Sequence, residues 1–340
     1  MDLLTKLYEQ KDLELEEMKI LSRQIFQGEL SEAQIGALLI GLKIKGETAE
    51  EMAGLAETIR EFSVPIDTEL TDTICNCGTG GDLSNSFNIS TTASFVLAAG
   101  GMKVAKTGNR SISSKAGSFD TCEALGIDFL VSAEQQAQQL AEINLTFLFA
   151  PHVHPRMKYV MPARKTLGTP TIMNLIGPLT NPVPLEYQLM GINRRSLLEK
   201  TAETIKKLGR KRAIVVNGPY EMDEASLAGE THYVLLADGL ITRHVITPED
   251  VGLPYYDYEA IRGGDATENA KILLNVLKGE KSAYYDTVLL NAGLGLFAGG
   301  KVSSVQEGVH EANQLLQSGE AYQVLTDLLA FQANLKVGNK

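Results

Sequence analysis

The residues best equipped for chemistry lie in two stretches rich in glycine and hydroxyl side chains. The first is Cys77-Gly78-Thr79-Gly80-Gly81-Asp82, followed by Asn85-Ser86-Phe87-Asn88-Ile89-Ser90-Thr91-Thr92. Its glycines allow a close backbone approach to a ligand, and successive amides can turn toward phosphate oxygens. Ser90 and Thr91 fall where a helix is expected to begin, and free amides with the helix dipole favour an anion there. The spacing fits neither the dinucleotide glycine fingerprint nor the P-loop, so both of those readings are weak. A glycine-rich turn with no further role is the plain alternative. The second stretch, Lys106-Thr107-Gly108-Asn109-Arg110-Ser111-Ile112-Ser113-Ser114-Lys115-Ala116-Gly117-Ser118, again joins glycine, hydroxyl and cation, a set suited to pyrophosphate. Arg110 and Lys115 could equally pair with surface carboxylates.

The distribution of charge points the same way. The chain of 340 residues carries a formal net charge of −11, which argues against nucleic acid as its main partner, because a phosphate backbone needs a basic surface. Yet no carboxylate lies between Asp82 and Asp120, where Lys103, Lys106, Arg110 and Lys115 stand. None lies between Glu142 and Glu186, which holds Arg156, Lys158, Arg164 and Lys165. Two such windows in an acidic protein read as walls of an anion-binding cleft, or as glycine loop and buried helix that simply exclude carboxylates. Arg164 suits a carboxylate through its planar fork. The neighbours Asp223 and Glu224 offer hard oxygen ligands for magnesium carried in on pyrophosphate, although an adjacent Asp-Glu pair is more commonly a solvated turn. Cys75, Cys77 and Cys122 give no disulfide framework. Cys75 and Cys77 would share one face of a strand as structural thiols rather than a zinc site.

The elements that must position these groups follow from periodicity. Ser31-Glu32-Ala33-Gln34 and Thr48-Ala49-Glu50-Glu51 are capping boxes. The first opens a helix with Ile35, Leu38, Leu39 and Leu42 on one face, and the second a helix to Arg60. Residues 63–70, with Pro65, link this helical unit to a pattern of alternating strand and helix. Strands are expected at 73–77, 103–106, 146–149, 213–217, 232–236 and 240–245, the last two joined by an Asp238-Gly239 turn. Helices are expected at 90–99, 118–125, 133–143 and 194–208, and Thr247-Pro248-Glu249-Asp250 reads as an N-cap with proline at the first helical position. The last third returns to helices at 267–278, 282–297, 303–317 and 321–335. The expected class is α/β: a larger α/β domain with a central mixed sheet flanked by helices, plus a small all-helical domain. The helical domain is expected at 1–65, joined by part of 165–190, and the larger one at 70–335. An apolar share of 44% and a charged share of 21% suit a substantial core. No apolar run approaches membrane-span length, and the acidic start is unlike a signal peptide, so a cytoplasmic protein is expected.

With Pro151-His152-Val153-His154-Pro155, Pro162-Ala163-Arg164, Asn174-Leu175-Ile176-Gly177-Pro178-Leu179-Thr180-Asn181-Pro182 and Asp223-Glu224, the two glycine stretches resemble the anthranilate phosphoribosyltransferases. The resemblance runs from the helical start, through Ile44-Lys45-Gly46-Glu47-Thr48, to Asn291-Ala292-Gly293 near the end, and so covers nearly the whole chain. It implies transfer of phosphoribose from phosphoribosyl pyrophosphate to anthranilate in tryptophan biosynthesis. Gly78, Thr79, Gly80, Gly81, Asp82, Asn88, Ile89, Ser90, Thr91, Lys106 and Ser118 would hold the sugar donor. Gly78, Asn109, His154, Arg164, Gly177 and Pro178 would line the anthranilate path. Ser90, Asp223 and Glu224 would bind magnesium, two ions per monomer, in a homodimer with no nucleic-acid or membrane partner.

The amine of anthranilate has a free lone pair, so no residue is expected as general acid or base. Lys106 and Arg164 would act by electrostatics and positioning, and His154 would orient the substrate, unless it is a structural histidine between two prolines. Thr107 and Asn217 stand where the family usually has histidine, and the Gly218–Met222 loop is slightly long, all near the expected cleft. A pyrimidine nucleoside phosphorylase of the same fold and a non-catalytic nucleic-acid-binding relative are the competing readings.

Overall fold

The computed structural model describes residues 3–110 and 115–338. Four helices come first, α1 (Leu3–Tyr8), α2 (Leu15–Gln27), α3 (Glu32–Lys45) and α4 (Ala49–Glu61). Both expected capping boxes form: the Ser31 hydroxyl accepts from the Gln34 amide, and the Thr48 hydroxyl from the Glu51 amide. Each first-turn side chain bonds back, Gln34 to the Ser31 amide and Glu51 to the Thr48 amide. Glu51 is wholly buried, which is tolerable because it also accepts from the Leu13 amide and pairs with Lys45 at 3.0 Å. Ile35, Leu38, Leu39 and Leu42 are all buried.

A seven-stranded sheet follows, made of β1 (Thr73–Asn76), β2 (Lys103–Gly108), β3 (Leu145–Phe149), β4 (Tyr187–Gly191), β5 (Arg212–Asn217), β6 (Thr231–Ala237) and β7 (Leu240–Ile246). The order is β3-β2-β1-β4-β5-β6-β7, with the first five strands parallel and the last two antiparallel. Asp238 (φ 51°) and Gly239 (φ 75°) make the tight turn between β6 and β7. The chain steps one way from β1 to β3, then returns to place β4 on the other side of β1. The strand order therefore reverses between β1 and β4, and the crevice beyond their carboxyl ends is where open α/β sheets bind ligands.

The central strands are buried on both faces, while the edge strand β7 is largely exposed. Ile214 and Val216 of β5 face a core shared with α5 (Ile89–Ala99), α6 (Ser118–Ala124), α11 (Ala266–Leu277), α12 (Ala283–Ala298), α13 (Val305–Gln317) and α14 (Glu320–Gly338). Ala213 and Val215 face the other way, into a core built from α10 (Leu198–Lys207), the four N-terminal helices and residues 160–179, which include α9 (Met161–Leu167). A smaller cluster holds Cys75, Cys77 and Leu148 under α7 (Ala133–Glu142), next to Val153 at the end of α8 (Ala150–Val153). Among the described residues, no helix is long and apolar enough to cross a membrane.

Three expectations from sequence are corrected. Strand β4 has no counterpart among the expected strands: Tyr187-Gln188-Leu189-Met190-Gly191 has no β-branched residue and follows two prolines, yet it pairs with β1 and β5 at the sheet's centre. Thr247–Asp250 opens no lasting helix. Asp250 takes the Thr247 amide and hydroxyl at 2.7 and 2.8 Å, closing a single 3-10 turn that ends at left-handed Gly252. The helix expected from Arg194 starts at Leu198, because Arg195–Leu197 form a 3-10 turn whose first residue is tied to the β5 side of the crevice.

Candidate active site

The turn after β1 lies over the β1/β4 reversal. The Thr79 amide donates to the Gly191 carbonyl at the end of β4 (3.0 Å). Gly80 is held from both sides: its amide donates to Asp223 Oδ2 (2.6 Å), and its carbonyl accepts from Asn193 Nδ2 (3.1 Å). Gly80 has φ +69°, which only glycine adopts without strain. Gly78 is required for a different reason. A Cβ there would sit 2.2 Å from Asp223 Oδ2, so the absent side chain is what lets the carboxylate meet the turn.

Behind the turn the acidic groups crowd together. Asp82 accepts from the Ser84 and Asp223 amides. Burial, with the Asp82 and Glu224 charges and a hydrogen bond donated to Asp82 adding to it, holds the Asp223 carboxyl well above the usual range. Burial also raises Glu224 to about 7, opposed by the Lys106 charge and by hydrogen bonds from Ser90. Such a group of carboxylates is short of positive charge. Among the described residues, no three His, Cys, Asp or Glu side chains form a ready metal cage. Asp223, Glu224 and the Ser90 hydroxyl suit instead a hard cation that keeps water and ligand oxygens in its remaining positions, as magnesium does.

The N-terminus of α5 faces this group. Asn88 precedes it but does not cap it, since its Oδ1 accepts from Thr121 (2.5 Å) and Asn269 (3.1 Å). The hydroxyl of Thr91 is buried without a partner among the described residues. Lys106, on β2, is 2% exposed, and its ammonium has no ion pair or hydrogen bond among the described residues. An unpaired buried cation and an orphaned hydroxyl beside a helix N-terminus are what an anionic ligand would satisfy.

On the far side, His154 is buried, with Nδ1 2.8 Å from the Ser63 hydroxyl and Nε2 3.3 Å from that of Thr180. Burial pulls its pKa down to about 4, so the ring is neutral. Thr180 donates to the Gly177 carbonyl (2.9 Å), and Pro178 accepts from Gln188 of β4 (2.7 Å), which ties this segment to the sheet. Arg164 is partly buried, which lowers its pKa, and its guanidinium reaches the Met161 sulfur at 3.8 Å.

The sequence-predicted residues thus fall into groups. Gly78 to Asp82, Ser90, Asp223 and Glu224 converge, with Lys106 close enough to act on Glu224. His154 and Gly177 are joined through Thr180, while Asn109 instead receives the Ser118 hydroxyl at its carbonyl (3.3 Å). Arg110 pairs with Glu123 (2.7 Å) and Asp120 (3.2 Å), so the surface-pair alternative is the one realised. Ser111 to Ser114 lie outside the described residues. Thr107 turns its hydroxyl to Cys77 (3.2 Å) and Cys75 (3.6 Å), whose sulfurs are 3.4 Å apart. Sequence reasoning missed Asn193 and Arg195 altogether. Both follow β4, and recognising that strand at the order reversal would have drawn attention to them.

Fold and site together define a two-domain glycosyl transferase: residues 1–63 match the helical bundle domain of the glycosyl transferase family and residues 70–322 its a/b domain. The anthranilate phosphoribosyltransferase of Listeria monocytogenes is 59% identical over 330 residues, 97% of each chain, and that of Streptococcus mutans is 52% identical over 98% of this chain and 99% of its own. The crystal structure of the Thermus thermophilus enzyme of the same name superposes with a TM-score of 0.93 at 40% identity, covering 97% of this chain and 99% of that one. The Saccharomyces cerevisiae enzyme in complex with phosphoribosyl pyrophosphate and Mg does so at 0.84 and 25% identity, over 94% and 93%. The chain belongs to the anthranilate phosphoribosyltransferase family.

Proposed function

We propose that this protein transfers the phosphoribosyl group from phosphoribosyl pyrophosphate to the amine of anthranilate, releasing pyrophosphate and forming N-(5-phosphoribosyl)anthranilate for tryptophan biosynthesis. The observation that carries this reading is the 2.6 Å bond from the Gly80 amide to Asp223, which joins a phosphate-type turn to a cation-seeking carboxylate at the β1/β4 reversal.

Gly78, Thr79, Gly80, Gly81, Asp82, Asn88, Ile89, Ser90, Thr91, Lys106 and Ser118 hold the sugar donor. Ser90, Asp223 and Glu224 hold magnesium, two ions per monomer, which when bound neutralises charge on the pyrophosphate. Gly78, Asn109, His154, Arg164, Gly177 and Pro178 receive anthranilate, with Arg164 on its carboxylate. As the C1–oxygen bond breaks, positive charge grows on the sugar and negative charge on the leaving group. The Lys106 ammonium and those turn amides not already bonded within the protein stabilise the latter. The amine attacks C1 from the opposite face with its own lone pair. No side chain must remove a proton first, and positioning supplies most of the rate. Neutral His154 orients the amine end. We further read residues 1–65, with part of 165–190, as the helical domain and 70–335 as the transferase domain, and the working form as a cytoplasmic homodimer.

The test mixes protein, magnesium, phosphoribosyl pyrophosphate and anthranilate and follows anthranilate fluorescence. Loss of fluorescence that stops on chelation is expected. A flat trace beside an active control enzyme defeats the reading.

A further inference from the structure

The five residues between β5 and Asp223 are held in an unfavourable shape. Tyr220 (φ 59°) and Glu221 (φ 58°) are consecutive left-handed residues, and neither is glycine. Such a pair persists only where its surroundings over-determine it. Here the surroundings are the turn after β4. Glu221 Oε2 accepts from the Arg195 amide (2.8 Å) and lies 3.4 Å from Asn217 Nδ2. Asn217, the last residue of β5, donates to the Ile192 carbonyl (2.8 Å) and accepts from Arg195 Nε (2.9 Å). Arg195 Nη2 reaches the Gly218 carbonyl (3.4 Å), and the Gly218 amide closes the loop onto the Met222 carbonyl (2.8 Å). The turn that anchors this loop also supplies Asn193, which holds the Gly80 carbonyl.

We infer that Asn217, Glu221 and Arg195 are positioning residues: they fold the Gly218–Met222 loop so that the Asp223 and Glu224 carboxylates are presented to the metal. This rests on the reading that Asp223 and Glu224 hold magnesium. Asn217 is thus more than a neutral replacement in the β5 end. Its two-sided amide accepts from Arg195 and donates to Ile192, bridging two loops that each touch Gly80 or its carboxylate partner.

The test measures Mn2+ binding to the full chain with phosphoribosyl pyrophosphate by electron paramagnetic resonance, beside the magnesium dependence of turnover. Partners of this kind commonly change metal affinity by 10- to 100-fold. Glu221→Ala and Asn217→Ala should each weaken Mn2+ binding about tenfold, shift the half-maximal magnesium concentration equally and leave the anthranilate KM at saturating donor unchanged. Glu221→Gln keeps an acceptor oxygen and should bind Mn2+ like the unaltered protein. If an alanine variant does not fold, Arg195→Met carries the same test. Unaltered Mn2+ affinity in the folded variants, or a Glu221→Gln loss as large as that of Glu221→Ala, overturns the inference. Failure of the parent reading is distinct: the unaltered protein would then bind no Mn2+ or consume no anthranilate.

Discussion

Asp223 and Gly80 are 143 residues apart in the chain and 2.6 Å apart in space, carboxylate oxygen to amide nitrogen. The contact sets the distance between the turn after β1 and the Asp223-Glu224 carboxylates. Gly78 permits it by having no side chain where Asp223 sits.

Gly78→Ala therefore forces either the turn or the carboxylate to move, since its Cβ would lie 2.2 Å from Asp223 Oδ2. Overpacking of this kind costs about 1–3 kcal/mol. The expected result is a folded protein whose kcat/KM for phosphoribosyl pyrophosphate falls roughly 10- to 100-fold, with most of the loss in KM. Steady-state kinetics at saturating anthranilate check it.

Lys106 is buried, and its ammonium makes no ion pair or hydrogen bond among the described residues, although its charge acts on Glu224. Such a charge costs stability that a bound anion recovers. Lys106→Met should lower turnover by about 100-fold while raising the melting temperature of the ligand-free protein by roughly 2 °C. Calorimetry with and without phosphoribosyl pyrophosphate separates the two effects, and the variant should lose most of the donor-induced rise.

Arg164 has no carboxylate partner among the described residues, and burial already disfavours its charge. If anthranilate supplies that partner, Arg164→Ala should raise the anthranilate KM by about 10- to 100-fold, the range of a charge-assisted bidentate pair. The donor KM should stay within about twofold. An unchanged anthranilate KM would place the carboxylate elsewhere.

His154 gives a pH signature of stability. Its folded pKa of about 4 lies below the ordinary 6.5, because burial disfavours the charged ring. The unfolded chain binds the extra proton first as pH falls. The stability linked to His154 is therefore complete above about pH 6.5 and is lost between there and about pH 4. The full loss is on the order of 3 kcal/mol. Imidazole resonances should show His154 still neutral at pH 5.5, and His154→Gln should flatten that part of the stability curve.

Much of the molecule is legible because its signals are local. The Ser31 and Thr48 capping boxes close within three residues, the Asp238-Gly239 turn within two, and the glycine turn and the Asp223-Glu224 pair stand in plain view. Strand β4 is silent by comparison, because what makes Tyr187–Gly191 a strand is its place between β1 and β5. The same holds for the side chains beyond it. Nothing adjacent to Asn193, Arg195 or Asn217 in the chain says that they hold the two loops together. The direction of Thr107, toward the Cys75 and Cys77 sulfurs, is likewise set by strand pairing. Chemistry of residue type and short spacing was thus present in the sequence by itself. The tertiary structure alone decided which distant groups meet, because a hydrogen bond of 2.6 Å across 143 residues depends on every element that folds between its ends.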